Sequence, residues 1–343
     1  MKRITIIQNP AYACAWPDVV LTKQGKLICV YTECAGHLDR TDSRLVLTES
    51  TDRGETWSAP VPLTARGTKT AYYNNARIAR TKDGLAIACD FIDGQSEATA
   101  DCTVHLFFAD AEGTAWRGPF PTPMKGIVPD KLRELKSGRW LLSAHHQSPV
   151  TGRLEETCRF SDDHGKTWSE AITMAADPGL DLCEACVVET KDALVAFLRE
   201  NSLRGLDGFR AVSFDEGETW QGVYPTVLAG CHRPTAGLLQ SGRLLITYRW
   251  HQGGGGPWGQ VYQNTMACLM EADHLTEPDR KSQWGNLLPL DHDRAAPRAD
   301  TGYTGWAQFD DGEIFVVNYI TDAFPRPYIC GYRLTEKDFR LDL

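Results

Sequence analysis

Asp18, Asn75, Asp130, Glu184, Arg233 and Tyr303 are chemically unlike one another. Yet each stands just ahead of the same kind of segment: a strand, a tight polar turn and a second strand. The far ends of those second strands add Glu33, His37, Asp90, His145, His146, Arg199, Arg249 and His251. Carboxylates and imidazoles move protons, a phenol can attack or donate, and guanidinium groups hold oxyanions. Brought to one axis, such a set would bind and rearrange an oxygen-rich, hydrogen-bonding substrate. Polar residues at equivalent points of repeated elements are poorly explained as core. The competing reading is a solvated channel mouth without chemistry.

The elements that must gather these residues are hairpins. "LTKQGKLICVYTE", "RTKDGLAIACDF", "ELKSGRWLLSAHH", "ETKDALVAFLREN", "LLQSGRLLITYRW" and "QFDDGEIFVVNYI" share one plan, with Gly25, Gly84, Gly138, Gly242 and Gly312 in the turn and Ala193 in the fourth copy. A polar turn requiring positive φ between β-branched and apolar runs is a hairpin signal. The second strands are apolar on both faces, as in "LLITY" and "IFVVNY", which suits sheets sandwiched between neighbouring sheets.

An octapeptide supplies a second, independent repeat: "STDRGETW" (50–57), "SDDHGKTW" (161–168) and "SFDEGETW" (213–220). The first gap is about twice the second, and a degraded copy, "ADAEGTAW" (109–116), stands near the middle of it, with Ala109 and Ala111 in place of the Ser and Asp. The repeat length is therefore roughly 50–60 residues, that of a four-stranded blade. Within each copy the Asp can accept from nearby backbone N–H groups, the Gly tolerates positive φ, and the Trp offers an apolar plate. Asp52, Asp163 and Asp215 thus read as corner-forming. The sequence predicts an all-β, six-bladed β-propeller occupying residues 1–343 as one domain. The strand "KRITIIQ" has no partner at its own end and is expected to close blade six, hiding two sheet edges. The run "GGGG" (253–256) reads as a loop after blade five.

Composition narrows the function classes. A net charge of −9 argues against nucleic acid or an anionic membrane as partner. No apolar run approaches the roughly 18 residues that span a bilayer. The start "MKRITIIQNPAY" lacks a signal-peptide core, so a cytoplasmic location is expected. Eleven cysteines, mostly inside apolar runs, read as small reduced hydrophobes. Cys183 and Cys186 form a C-x-x-C, but a regular strand would point them to opposite faces, which disfavours a zinc site. His145 and His146 are split between faces in the same way. No glycine-rich phosphate loop opens a helix. No metal and no cofactor is expected.

The octapeptide is the Asp-box, and its three copies at blade spacing on six hairpins resemble the sialidase (neuraminidase) superfamily of six-bladed propellers. The resemblance implies a tyrosine nucleophile paired with a glutamate, an aspartate acid/base on a blade-one loop, and three arginines gripping a sugar carboxylate. "LCEACVVETKDALVAFLREN" resembles the strand pair carrying the glutamate and an arginine, which implies those roles for Glu184 and Arg199. "DTGYTGWAQFDDGEIFVVNYI" resembles the strand of the nucleophile and implies Tyr303. A carboxylate beside the phenol can take its proton as the oxygen attacks. Arg233 or Arg249 supplies another arginine, with Arg233 preferred. "ECAGHLDRTDSR" offers Asp39 or Asp42 as acid/base, with His37 nearby. Asp18, Asn75, Asp130 and His145 complete the expected substrate-binding set.

One position departs from the family. Its first arginine belongs to Phe/Tyr-Arg-Ile-Pro, where this chain reads "CAWPDVV", with Ala15 in the arginine's place and Asp18 just past the proline. Losing one arm of a charge-assisted clamp costs roughly 2–5 kcal/mol. The expected activity is therefore a sialidase-like glycosidase of altered specificity, acting on a carbohydrate other than ordinary sialic acid, an acidic sugar being one candidate. Two alternatives stand beside it. One is another carbohydrate-active enzyme, such as a polysaccharide lyase in which His37 or His145 abstracts a proton beside a uronate. The other is a glycan-binding propeller without turnover.

Overall fold

The computed structural model describes residues 2–94, 101–252 and 262–340; the "GGGG" run lies outside them. Six four-stranded antiparallel sheets follow in chain order around a ring. Five are built from consecutive strands, and the sixth is completed by the N-terminal strand Ile4–Ile7, which pairs with Tyr328–Leu334 in the register Ile4↔Gly331. First and last segments thus share one sheet, and the closure expected from the unpaired "KRITIIQ" is present.

Burial explains the doubly apolar second strands. Leu27–Cys34, Leu194–Glu200 and Ile314–Ile320 are buried at every residue, whereas the outer strand Arg117–Lys125 is largely exposed. Each blade packs on the next through an apolar cluster, such as Phe315, Val317 and Tyr319 of blade six against Val19, Cys29 and Tyr31 of blade one. Among the described residues, no helix is long and apolar enough to cross a membrane.

The Asp-boxes link the third strand of a blade to its fourth. In the first, Ser50 Oγ donates to Asp52 Oδ1 (2.8 Å), Gly54 N donates to Ser50 Oγ (2.8 Å) and Thr56 N donates to Asp52 Oδ1 (2.9 Å). The copies at 161–168 and 213–220 repeat these bonds. The corner also seals a blade interface. Gly54 has φ +86°, and a Cβ there would lie 2.3 Å from the Phe315 ring of blade six. In the degraded copy Asp110, one position early, accepts from Glu112 N (2.9 Å) and from both the backbone and hydroxyl of Thr114. The corner therefore survives loss of the motif.

A third repeat was invisible in the sequence. Near the start of each blade one residue has left-handed backbone: Trp16 (φ 53°), Asn75 (48°), Val128 (53°), Glu184 (53°), Arg233 (51°) and Gly302 (99°). In five blades the inner-strand register slips at this point, as between Ala15 and Asp18 or between Cys183 and Cys186. These are β-bulges, which re-aim side chains. A non-glycine residue in this conformation costs roughly 1–2 kcal/mol, and buried acceptors hold the bulges in place. Asp90 Oδ2 accepts from Asn75 Nδ2 and Val128 N (both 3.0 Å), Glu156 Oε2 from Ala185 N (3.2 Å), and Asn318 Oδ1 from Gly302 N (2.9 Å).

Candidate active site

The bulges turn Trp16, Asn75, Val128, Glu184 and the residue after Gly302, Tyr303, toward a cavity of about 370 Å³ at one end of the ring. His37 and Arg40 from the blade-one loop, His145, Arg199 and Arg249 from second strands, and Asn201 add to its polar lining. Gly302 lets the chain pass close to Arg249: a Cβ there would stand 2.7 Å from that of Arg249. The Arg249 guanidinium carbon then lies 4.5 Å from the Tyr303 ring centre.

Tyr303, Glu184 and Arg199 form one bonded group. The Tyr303 hydroxyl donates to Glu184 Oε1. Arg199 Nη1 donates to both, at 2.9 Å to Glu184 Oε1 and 2.9 Å to Tyr303 Oη, while its Nη2 donates to Asn201 Oδ1. All three are at least nine-tenths buried. Burial alone would raise the Glu184 pKa, but Arg199 outweighs it, assisted by Arg233, His145 and the Tyr303 hydroxyl, and brings it to about 2. Burial and the Glu184 charge push the Tyr303 phenol above its ordinary value, against Arg199 and Arg249. At neutral pH the pair is therefore carboxylate plus phenol, with a guanidinium across both oxygens. Such a group can deprotonate the phenol as its oxygen forms a bond, since negative charge on either oxygen meets the same cation.

His145 backs this group. Its Nδ1 accepts from the Glu184 backbone N–H (3.4 Å), and its pKa is depressed to about 4, by burial first and by Arg199 in part, against the pull of Glu184. His146 faces another way and pairs with Glu155 (3.0 Å). On the other wall His37 Nδ1 meets Asp300 Oδ2 at 2.9 Å, and the ring sits edge-on to Trp16 with centres 5.2 Å apart. Asp300 also accepts from Tyr319 Oη (2.5 Å) and from Arg249 Nη2 (3.3 Å). The Arg40 guanidinium lies 4.0 Å over Trp16.

Of the residues expected from sequence, the structure brings His37, Asn75, His145, Glu184, Arg199, Arg249 and Tyr303 to this cavity. Five others stand elsewhere. Asp18 and Asp130 lie two residues past their bulges and face away from it. Asp18 accepts from Val19 N and Ile78 N (both 2.9 Å) and pairs with Lys131, while Asp130 accepts from Val187 N (2.9 Å) and pairs with Arg133. They pin one blade to the next. Arg233 stands at a bulge and its guanidinium lies 5.8 Å from the Tyr303 ring centre, but it donates to the carbonyls of Val128 and Pro129 (both 3.0 Å) and does not line the cavity. Neither Asp39 nor Asp42 lines the cavity. Asp39 is exposed and accepts from Thr41 N within its own turn (3.0 Å), while Asp42 has φ 60° and its carbonyl accepts from Arg66 (2.8 Å). Cys183 and Cys186 are both buried, and Cys186 Sγ takes the Ala236 N–H at 3.1 Å.

Sequence reasoning missed Trp16, Arg40, Asp300 and Glu156. Trp16 carried one signal, its place immediately before a proline like that of Arg233. Glu156 is a fully buried carboxyl beneath the Glu184 bulge, and burial raises its pKa to about 8 despite the Ala185 N–H.

The profile of the BNR repeat-like domain family matches residues 119–316. No curated protein matches the chain by sequence. Among solved structures, a Dyadobacter fermentans protein of unknown function is 21% identical, with a TM-score of 0.79 and 97% of each chain covered. The intramolecular trans-sialidase of Ruminococcus gnavus, solved with oseltamivir carboxylate, is 13% identical with a TM-score of 0.72 and 96% of each chain covered. A Trypanosoma rangeli sialidase, solved as a covalent intermediate with 2,3-difluorosialic acid, is 12% identical with a TM-score of 0.71. That comparison covers 96% of this chain and 58% of the sialidase. At these identities the likeness to the solved structures is one of fold, that of a six-bladed propeller, and with the family match over more than half its length the chain belongs to the BNR repeat-like domain family.

Proposed function

We propose that this protein is a sialidase-type glycosidase in which Tyr303 attacks the anomeric carbon of a bound sugar and Glu184 takes the phenolic proton. The observation that carries the reading is the Tyr303–Glu184 bond bridged by Arg199 at the wall of an open cavity. As the Tyr303 oxygen bonds to carbon, the glycosidic C–O bond breaks and the leaving oxygen is protonated. Water then displaces Tyr303, which recovers its proton from Glu184. Two displacements at one carbon retain its configuration.

The sugar is one that does not depend on the family's first arginine, since Ala15 occupies that place. Arg40, Arg199 and Arg249 nevertheless put three guanidinium groups on the cavity, which favours an acidic sugar. An adjoining recess of about 530 Å³ shares Ile127, His145 and Asn201 with the cavity and offers room for the rest of a glycan. The lyase reading has less support. His145, one of its two bases, already has Nδ1 engaged by the Glu184 backbone.

The test is covalent trapping. The protein is incubated with fluorinated glycosyl fluorides of neutral sugars, uronic acids and nonulosonic acids, followed by intact-mass and peptide mapping. One sugar should add a single glycosyl unit to Tyr303 and none to Tyr303→Phe. No adduct with any sugar, together with wild type and Tyr303→Phe equally inert on aryl glycosides, would overturn the proposal. Sugar binding without an adduct would leave a glycan-binding propeller.

A further inference from the structure

The attack just described needs a proton for the leaving oxygen, and among the described residues the cavity holds few groups able to give one. Guanidinium groups do not lose protons at working pH. Glu184 is ionised, and Tyr303 is the nucleophile. His145 is held neutral with Nδ1 accepting a backbone N–H. Its other nitrogen therefore bears the proton of a neutral imidazole, and giving it up would leave an imidazolate. Asp39 and Asp42, the loop carboxylates, do not line the cavity.

His37 remains. It comes from the same blade-one loop, it lines the cavity, and about a quarter of its side chain is exposed. Its Nδ1 is fixed by Asp300, which puts Nε2 on the opposite side of the ring. Asp300 is itself a carboxylate: burial would raise its pKa, but His37, Arg249 and the Tyr319 hydroxyl together bring it below the ordinary range. The edge-on contact with Trp16 fixes the ring from a second side.

We infer that His37 is the general acid/base of this site, oriented by Asp300, in place of a loop aspartate. The inference rests on the Tyr303 reading above. In the first step the Nε2 proton of the imidazolium passes to the leaving oxygen as its bond to the anomeric carbon breaks. In the second step neutral Nε2 takes a proton from the water that displaces Tyr303, so proton and charge return to their starting places. Asp300 is a positioning residue throughout and carries no transferred proton.

Among the described residues, the groups around His37 include Asp300 from blade six, Trp16 from the first bulge, Arg249 from blade five by way of Asp300, and Arg40 of its own loop by way of Trp16.

The experiment compares wild type with His37→Ala on 2,4-dinitrophenyl and unactivated alkyl glycosides of whichever sugar labels Tyr303. A general acid contributes about 10²–10⁴-fold. That loss is expected on the alkyl glycoside, which needs protonation, with a loss below about fivefold in bond cleavage on the dinitrophenyl glycoside, which does not. Azide needs no general base, so it should accelerate His37→Ala on the dinitrophenyl substrate and yield a glycosyl azide of retained configuration. His37→Asn, which preserves polarity, should behave like His37→Ala. Equal losses on both substrates, no loss on either, or absence of azide rescue would overturn the His37 assignment while leaving Tyr303 labelled. Failure of every sugar to label Tyr303 is read first and removes both.

Discussion

The Asp-box corners and the ring of bulges are both repeated around the propeller, but they repeat different things. In the corners the side chains recur and so do their bonds: Ser50, Asp52 and Gly54 are matched by Ser161, Asp163 and Gly165 and by Ser213, Asp215 and Gly217. In the ring the backbone recurs while the side chains differ, from Trp16 through Asn75, Val128 and Glu184 to Arg233. Identical residues in several blades meet a demand those blades share, the folding of a corner. A common backbone carrying unlike residues arranges different chemical groups around one space. Function belongs to the second kind of repeat.

Paired substitutions should divide along that line. Gly54→Val forces a β-branched residue into positive φ with its Cβ against Phe315. Overpacking costs about 1–3 kcal/mol, enough to lower the Tm by a few degrees, while turnover per folded molecule stays at the wild-type value. Tyr303→Phe, the trapping control, should do the reverse, removing activity with little change in Tm. Calorimetry and active-site labelling on the same samples check both. A Gly54→Val protein that folds fully and yet loses labelling would show the corners reaching into the site.

Glu156 lies between the two regions, fixing the bulge of Glu184 without lining the cavity. Its pKa is raised from 4.5 to about 8, so the folded chain keeps a proton that the unfolded chain gives up. Stability from this group is complete below about pH 4.5 and declines as pH rises toward about 8. Glu156→Gln keeps an oxygen for the Ala185 N–H and cannot ionise. Its Tm should equal that of wild type near pH 5 and exceed it at pH 8; parallel curves would mean that Glu156 is charged in the folded protein.

The fold was legible because both its signals are local. A hairpin turn and an Asp-box each fit within a dozen residues, and their spacing alone counts the blades. The degraded copy at 109–116 was placed correctly by spacing even though its working carboxylate, Asp110, sits one position early. The cavity was legible where a residue stands at a bulge or at the far end of a second strand, as Asn75, Glu184, His145, Arg199 and Arg249 do. Strand alternation has a period of two, and a bulge shifts it by one. Counting back from the hairpins therefore mixed two layers, with Asn75 and Glu184 at their bulges but Asp18 and Asp130 two residues beyond, among the blade-to-blade pins. Asp300 and Arg40 were missed because neither stands at a repeated position; only the three-dimensional loop arrangement brings them to His37 and Trp16.

The smallest expected effect tests the corners by themselves. Asp163 has its pKa lowered from 3.8 to about 2 by the Thr167 backbone and hydroxyl, against the opposing effect of burial, with Ser161 adding to the shift. A carboxylate depressed on folding stabilises the protein fully above about pH 4, and that contribution disappears as pH falls toward 2. Asp163→Asn removes the charge and keeps one acceptor oxygen. Its Tm at pH 7 should fall by about one or two degrees, and the gap to wild type should close as the buffer is taken from pH 4 to pH 2.5. A gap that stays constant with pH would mean that shape alone, and not the carboxylate's charge, holds the corner. Either way turnover should be unchanged, because nothing in this corner touches the ring.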